Sequence, residues 1–350
     1  MFAASLGARV NGRRGEGMGK RKVLVCSYRL NLPDHPQLKK LQAAGLELAY
    51  NNLGRPYTRQ ELLAAIPGSF ATIAGAERYD DELLGAADKL ELIARFGVGY
   101  DTVDVDAATK RGITLAMAFG SNHESVADMA LSLMGSLVSR VDQYTRLLKS
   151  GGWGAESQGT LYGATVGIIG LGRIGRAVAR RCKGFDMRVL ANDIKPDPDY
   201  ARAHGIELVD KETIFRQSDI VSLHCSAGPE TKDLINRSTL ALMKPGAVLI
   251  NTARGSMVDE PALIDALASG KLSGAGLDVF KTEPLAKDAP ILKAPNLVCT
   301  PHAAGGNVRA FELGLELCVR HILAMADGRR PEPEFVVNPQ AAHRRSQAAR

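Results

Sequence analysis

Thr165 to Gly175 reads TVGIIGLGRIG: a short apolar run, then Gly170-Leu171-Gly172-Arg173-Ile174-Gly175, then a stretch with helical character. A strand, a glycine turn and a helix start in that order form a cradle in which backbone N–H groups and a helix N-terminus hold a pyrophosphate. Gly170 makes the tight turn, Gly172 lets phosphate approach the backbone, and Gly175 lets helix and strand pack closely. A second apolar run, Met187 to Ala191, ends in Asn192 and Asp193. That places an acid ~20 residues on, where a carboxylate grips a ribose 2′-hydroxyl. The acid favours NAD over NADP, whose 2′-phosphate would meet like charge.

The composition sets the frame for this motif. The chain has 350 residues, long enough for two domains, and an apolar content of 45%, ordinary for an α/β protein. No apolar run approaches the ~20 residues that span a bilayer, so no membrane association is expected. The net charge of +6 is concentrated in the ends. Arg9, Arg13, Arg14 and Lys20 face only Glu16 at the start, and Arg344, Arg345 and Arg350 face no acid at the finish. Charge confined to terminal segments is a solvated charge rather than a nucleic-acid surface. Cys26, Cys182, Cys225, Cys299 and Cys318 are scattered, without metal-ligand spacing. They predict no metal site and no disulfide framework, and a reducing, cytoplasmic setting.

Short β-branched runs alternate with helical stretches from Lys22 onward, the pattern of βαβ units and parallel sheets. One series runs through Val23–Cys26, Leu46–Tyr50, Phe70–Ala74, Leu90–Ala94 and Ile113–Ala116. The other begins at Thr165 and continues through Arg188–Ala191, Asp219–Leu223, Ala247–Asn251, Gly274–Val279 and Leu297–Thr300. Between them the apolar spacing predicts one long crossover helix, Glu124 to Leu148, and a final helix is predicted over Ala310 to Ala326.

Three positions follow strands of the second series: Arg254 after Ala247–Asn251, Glu283 after the run ending in Phe280, and His302 after Thr300. Ligands of open parallel sheets bind beyond the carboxyl ends of the strands, so the three converge on one crevice.

Five motifs stand in order: RFGVGYD (Arg95–Asp101), GLGRIG, LMKPGAVLINTARG (Leu242–Gly255), LDVFKTEP (Leu277–Pro284) and TPH (Thr300–His302). With these motifs the chain, over about residues 22 to 335, resembles the D-isomer-specific 2-hydroxyacid dehydrogenases. GLGRIG and RFGVGYD are most similar to the 3-phosphoglycerate dehydrogenase branch, in a short form without a regulatory domain. The resemblance implies an α/β fold of two domains, each a parallel sheet flanked by helices. The flavodoxin-like substrate domain is expected over 21–118 and 302–338, and the Rossmann NAD-binding domain over 119–301. An extension over 1–20 and a basic tail over 339–350 are expected to be disordered. The cleft between the domains is expected to close on hinges near Phe119 to Ser121 and near Thr300.

The same resemblance implies a catalytic trio of Arg254, Glu283 and His302. Arg173, Ile174, Asp193, Cys225, Thr252, Ala253, Asp278 and Gly305 join the three glycines at cofactor-contacting positions, with Asp278 near the nicotinamide carboxamide. Val98 and Gly99 fall where backbone amides hold the substrate carboxylate, and Arg95 is the remaining basic group for the substrate. The implied partners are a small 2-hydroxy or 2-keto acid and a second copy of the chain, joined through the NAD-binding domain. Departures exist. Where the branch commonly carries an arginine after the third strand, for the substrate phosphate, this chain has Ile73, Ala74 and Gly75. At the hinge the usual Asn-Thr-Pro-Gly becomes Met117, Ala118, Phe119 and Gly120. A glyoxylate or hydroxypyruvate reductase and a phosphite dehydrogenase share the trio, and so does a non-enzymatic reading, an NAD-sensing scaffold of the corepressor type.

Overall fold

A computed structural model describes residues 20–341. The expected extension and tail lie outside the described residues, apart from Lys20 and 339–341. Of those last three Pro339 and Gln340 are exposed, while Ala341 is buried and donates its N–H to the Asn338 carbonyl at 3.0 Å.

The chain divides into two compact units. The first takes residues up to Phe96, Thr102–Met117 and Glu316 onward; the second takes Gly97–Asp101 and Ala118–Leu315. In the first, strands β1 (Lys22–Val25), β2 (Glu47–Tyr50), β3 (Ser69–Ala74), β4 (Leu92–Arg95) and β5 (Thr114–Met117) form a parallel sheet in the order β2-β1-β3-β4-β5. That is the flavodoxin-like order, which reverses direction beside β1. β3 is buried at every residue, as a strand covered by helices on both faces must be.

The second unit carries β6 (Thr165–Ile169), β7 (Arg188–Asn192), β8 (Ile206–Leu208), β9 (Ile220–Leu223), β10 (Ala247–Asn251), β11 (Leu272–Leu277) and β12 (Leu297–Cys299). They pair in the order β12-β11-β10-β9-β6-β7-β8, all parallel. The order turns around between β6 and β9, which makes the carboxyl end of β6 the switch point where a crevice opens. Alternate residues serve opposite faces. Val248 and Ile250 pack with Ala127, Ala130 and Val178, while Leu249 packs with Ile214, Leu263 and Phe280.

The predicted crossover helix is two helices, His123–Val138 and Val141–Lys149. Arg140 between them stands at φ +53°, in the left-handed region, and ends the first helix. Apolar periodicity carries on through such a break, so spacing does not reveal it. The first helix lies close against β11. A Cβ at Gly274 would come within 2.8 Å of Leu137 and one at Gly276 within 2.9 Å of Leu133. The second helix has no buried residue. Spacing does not predict β8 either; it is a three-residue edge strand with a single buried side chain, Ile206, too short for an apolar run.

Candidate active site

The glycine turn is forced by its surroundings. Gly170 sits at φ +99°, and a Cβ there would lie 2.5 Å from the Cys225 amide nitrogen and 2.6 Å from the His224 carbonyl carbon. A Cβ at Gly175 would collide with the Gly170 carbonyl oxygen, so the helix Arg173–Gly184 packs against the turn only without one. Gly172 caps that helix with no side-chain hydrogen bond, and a Cβ on it would meet nothing within 4 Å. The helix N-terminus is thus open on the side where an anion would be held. Asp193 stands at the end of β7. Its carboxylate accepts hydrogen bonds from the Leu171 amide at 2.6 Å and the Lys195 amide at 2.8 Å, tying the acid to the glycine turn.

Cys225 adjoins Gly170, with its thiol 3.7 Å from the Met257 sulfur. Thr252 and Ala253 follow β10; the Thr252 hydroxyl is buried with no hydrogen-bond partner among the described residues, an orphan that a bound polar group would satisfy. Gly305 leaves room for Asn122, whose amide nitrogen would be 2.8 Å from a Cβ there. Ile174 is half-buried, and Arg173 is exposed with its guanidinium 5.8 Å from the centre of the Phe119 ring. A shape-fitted glycine turn, an open helix terminus, a nearby carboxylate and an orphaned hydroxyl together fit a dinucleotide.

Beyond the carboxyl ends of β10 to β12 the trio comes together. The Asn251 side chain bonds the Ala253 amide at 3.0 Å and the Arg254 carbonyl at 2.9 Å, turning the chain sharply after β10. Arg254 then donates from Nε to both oxygens of Asp101 at 3.1 Å and from Nη2 to Oδ1 at 3.0 Å. Its guanidinium lies where a side chain at position 99 would be, so any larger residue there would displace Arg254 from this position. Val98 is half-buried in the same segment.

Glu283 Oε1 accepts the Phe280 amide at 2.9 Å, and Oε2 is 2.6 Å from Nδ1 of His302. The hydrogen bond to Glu283 pushes the His302 imidazole up from its ordinary pKa, against burial, which pulls the other way. Burial alone would raise the Glu283 carboxyl, but the bonds from His302 and Phe280 and the Arg254 charge hold it below the usual carboxylate range. The result is a pre-formed imidazole–carboxylate hydrogen bond that favours the charged form of each partner. Arg95 belongs to the first unit, where Nη1 donates to the Ala74 carbonyl at 3.3 Å and the Phe96 carbonyl at 3.2 Å.

Residues 131–304 match the family model described as the D-isomer specific 2-hydroxyacid dehydrogenase, NAD binding domain. A glyoxylate reductase of Korarchaeum cryptofilum is 41% identical over 258 residues, covering 72% of this chain and 78% of that protein. The chain belongs to the D-isomer specific 2-hydroxyacid dehydrogenase family. A D-3-phosphoglycerate dehydrogenase of Archaeoglobus fulgidus is 39% identical over 279 residues, 77% of this chain and 52% of that enzyme, so the chain spans about half its length. The solved TT0316 protein of Thermus thermophilus superposes with a TM-score of 0.82 at 36% identity, over 90% of this chain and 99% of that one.

Members of this dehydrogenase family are NAD-dependent oxidoreductases, and the two-sheet α/β architecture is theirs. Asp101 stands inside the RFGVGYD motif, but its hold on Arg254 is a tertiary contact across 153 positions that spacing does not show. The Phe280 amide that orients Glu283 is likewise invisible in side-chain identities. Among the described residues no cluster of His, Cys, Asp and Glu could hold a metal ion, and no helix is long and apolar enough to cross a membrane.

Proposed function

We propose that this chain interconverts a D-2-hydroxy acid and its 2-keto acid, with Arg254, Glu283 and His302 as the working residues. The observation that carries the reading is the 2.6 Å contact between His302 Nδ1 and Glu283, beside Arg254. When bound, the nicotinamide accepts or supplies the hydride. With Nδ1 committed to Glu283, Nε2 of His302 is the nitrogen that exchanges a proton with the substrate oxygen. In keto-acid reduction the imidazolium protonates the oxygen as negative charge grows there; in oxidation the neutral ring takes the hydroxyl proton. Arg254 presents a planar fork for the substrate carboxylate and stabilises the developing oxyanion, exchanging its hold on Asp101 for the substrate. The Val98 and Gly99 amides bind the same carboxylate. The glycine turn, Asp193, Thr252 and their neighbours hold the dinucleotide, and Asp193 favours NAD.

Arg95 and the resemblance of the two glycine-bearing motifs support a 3-phosphoglycerate-like acid. A second reading, a small unphosphorylated acid such as glyoxylate or hydroxypyruvate, is favoured by Glu77. Its carboxylate accepts the Gly75 amide at 2.7 Å and would stand 2.9 Å from a Cβ at Gly75, filling the place after β3 where a basic side chain is missing. Burial raises this carboxyl, and the Arg95 charge lowers it in turn, so part of the Arg95 charge is already answered. The test is kcat/KM for NADH oxidation with glyoxylate and hydroxypyruvate, set against NAD reduction with 3-phosphoglycerate. Preference for 3-phosphoglycerate supports the first reading, preference for a small keto acid the second, and tight NADH binding without turnover supports the scaffold instead. We also propose a cytoplasmic homodimer joined through the NAD-binding domain.

A further inference from the structure

Asp278 is an expected cofactor residue, and its surroundings point elsewhere as well. It follows β11 and is 1% exposed. Oδ1 accepts the Thr300 hydroxyl at 2.5 Å and the Ala303 amide at 2.8 Å; Oδ2 accepts the Ala304 amide at 3.0 Å. Its carbonyl accepts the His302 amide at 2.8 Å, and its own amide bonds the Asn251 carbonyl at 3.0 Å, at the root of the turn that carries Arg254. One residue therefore bonds positions 300, 302, 303 and 304. Between them His302 stands at φ +52°, a left-handed conformation that a non-glycine residue holds only when its surroundings impose it. On the far side the Ser125 hydroxyl bonds the Ala304 carbonyl at 2.6 Å.

We infer that Asp278 is a positioning residue for His302: its carboxylate clamps the loop after β12 in the left-handed conformation that aims the imidazole at Glu283. Three protein donors leave this carboxylate room for at most one more, so contact with a nicotinamide amide would be an addition to the clamp. Coupling of this kind makes the acid–base group and the cofactor pocket share one anchor. An asparagine at 278 would keep one acceptor but set an N–H₂ group against the loop amides, and would remove a negative charge. The charged groups around the imidazole are Glu283, Arg254 and Asp278, so loss of Asp278 lowers the imidazole pKa by charge as well as by misplacement.

The inference rests on the trio of the proposed function, yet its first test needs no turnover. In the full-length chain labelled at histidine, with His302→Asn identifying the resonance, the His302 titration is followed by NMR without NADH. Asp278→Asn is expected to lower the midpoint by about one unit. An unmoved midpoint with weakened NADH binding would make Asp278 a cofactor contact alone and overturn the inference. Should Asp278→Asn fail to fold, Thr300→Val removes one donor and keeps the charge. It is expected to shift the His302 resonance in the ligand-free chain and, where the chain turns over a 2-keto acid, to cut kcat about tenfold, the cost of one hydrogen bond to a charged group. KM for NADH should be unchanged, and Thr300→Ser should restore wild-type behaviour. A wild-type His302 resonance in Thr300→Val counts against the clamp.

Discussion

At the residue scale the site is a competition among charges for a few donors. Glu283 raises His302, and the sign of the pH dependence follows. Keto-acid reduction needs the imidazolium, so its rate is expected to fall as pH rises through a value above the ordinary 6.5, whereas oxidation rises through it. Glu283→Gln removes the leading cause of the upward shift while burial and Arg254 still press downward. The basic limb of the reduction profile should therefore move to lower pH, read from kcat/KM against pH; an unmoved limb would separate Glu283 from the acid–base step. His302→Asn should cost at least 100-fold in kcat with NADH affinity kept, because general acid catalysis contributes ~10²–10⁴-fold. The pair also ties stability to pH. His302, raised in the fold, stabilises fully below 6.5 and loses that contribution as pH rises through its folded value. Glu283, lowered in the fold, stabilises above 4.5 and loses its contribution as pH falls. Both contributions are complete only between those two values, and thermal unfolding across pH should show the maximum of this pair there.

At the element scale the strand, glycine turn and helix around Gly170 to Gly175 are legible in the sequence because sterics leave no other residue at two of the three glycines. Gly175→Ala tests this directly. Its methyl group would meet the Gly170 carbonyl oxygen, so helix and turn must separate, a cost of about 1–3 kcal/mol for an overpacked site. A lowered Tm together with weakened NADH binding is expected; unchanged NADH affinity would detach the turn from the cofactor. The order of motifs makes the convergence of Arg254, Glu283 and His302 legible too, since each stands in the loop that follows a strand of the same sheet. What residue identities do not carry is tertiary. The break at Arg140 keeps the apolar spacing of the helices on either side, and β8 offers only Ile206 to the core. The contacts that hold the trio in place, Asp101 on Arg254 and the Phe280 amide on Glu283, join residues whose proximity exists only after folding or whose bonding atom is backbone. The motif around Asp278 marks it as a cofactor residue and nothing more, because four bonds to a neighbouring loop leave no mark on residue identity.

For the whole molecule, assembly has a built-in reporter. Trp153, the one tryptophan in the sequence, is 92% exposed in the isolated chain, and Tyr162, Leu148 and Val141 of the same stretch are also exposed. Isolated apolar side chains on a surface are ordinary, but four within 22 positions, two of them on a helix with no buried residue, expose apolar area that association would cover. A homodimer formed through this stretch should give a solution mass of twice 37.4 kDa by light scattering. Burial of an indole shifts its emission to shorter wavelength, so dilution should move the emission maximum to longer wavelength as mass falls. Trp153→Glu places a charge in the expected contact and should yield a monomer with the fold intact by circular dichroism. A wild-type chain that is monomeric at micromolar concentration, or a dimer whose tryptophan emission matches that of free indole in water, would remove this stretch from the interface. The site residues Arg254, Glu283 and His302 all lie in the unit that carries the stretch, and their mutual contacts form within one chain. The monomeric variant is accordingly expected to keep NADH binding and the His302 titration, which separates assembly from the chemistry of the site.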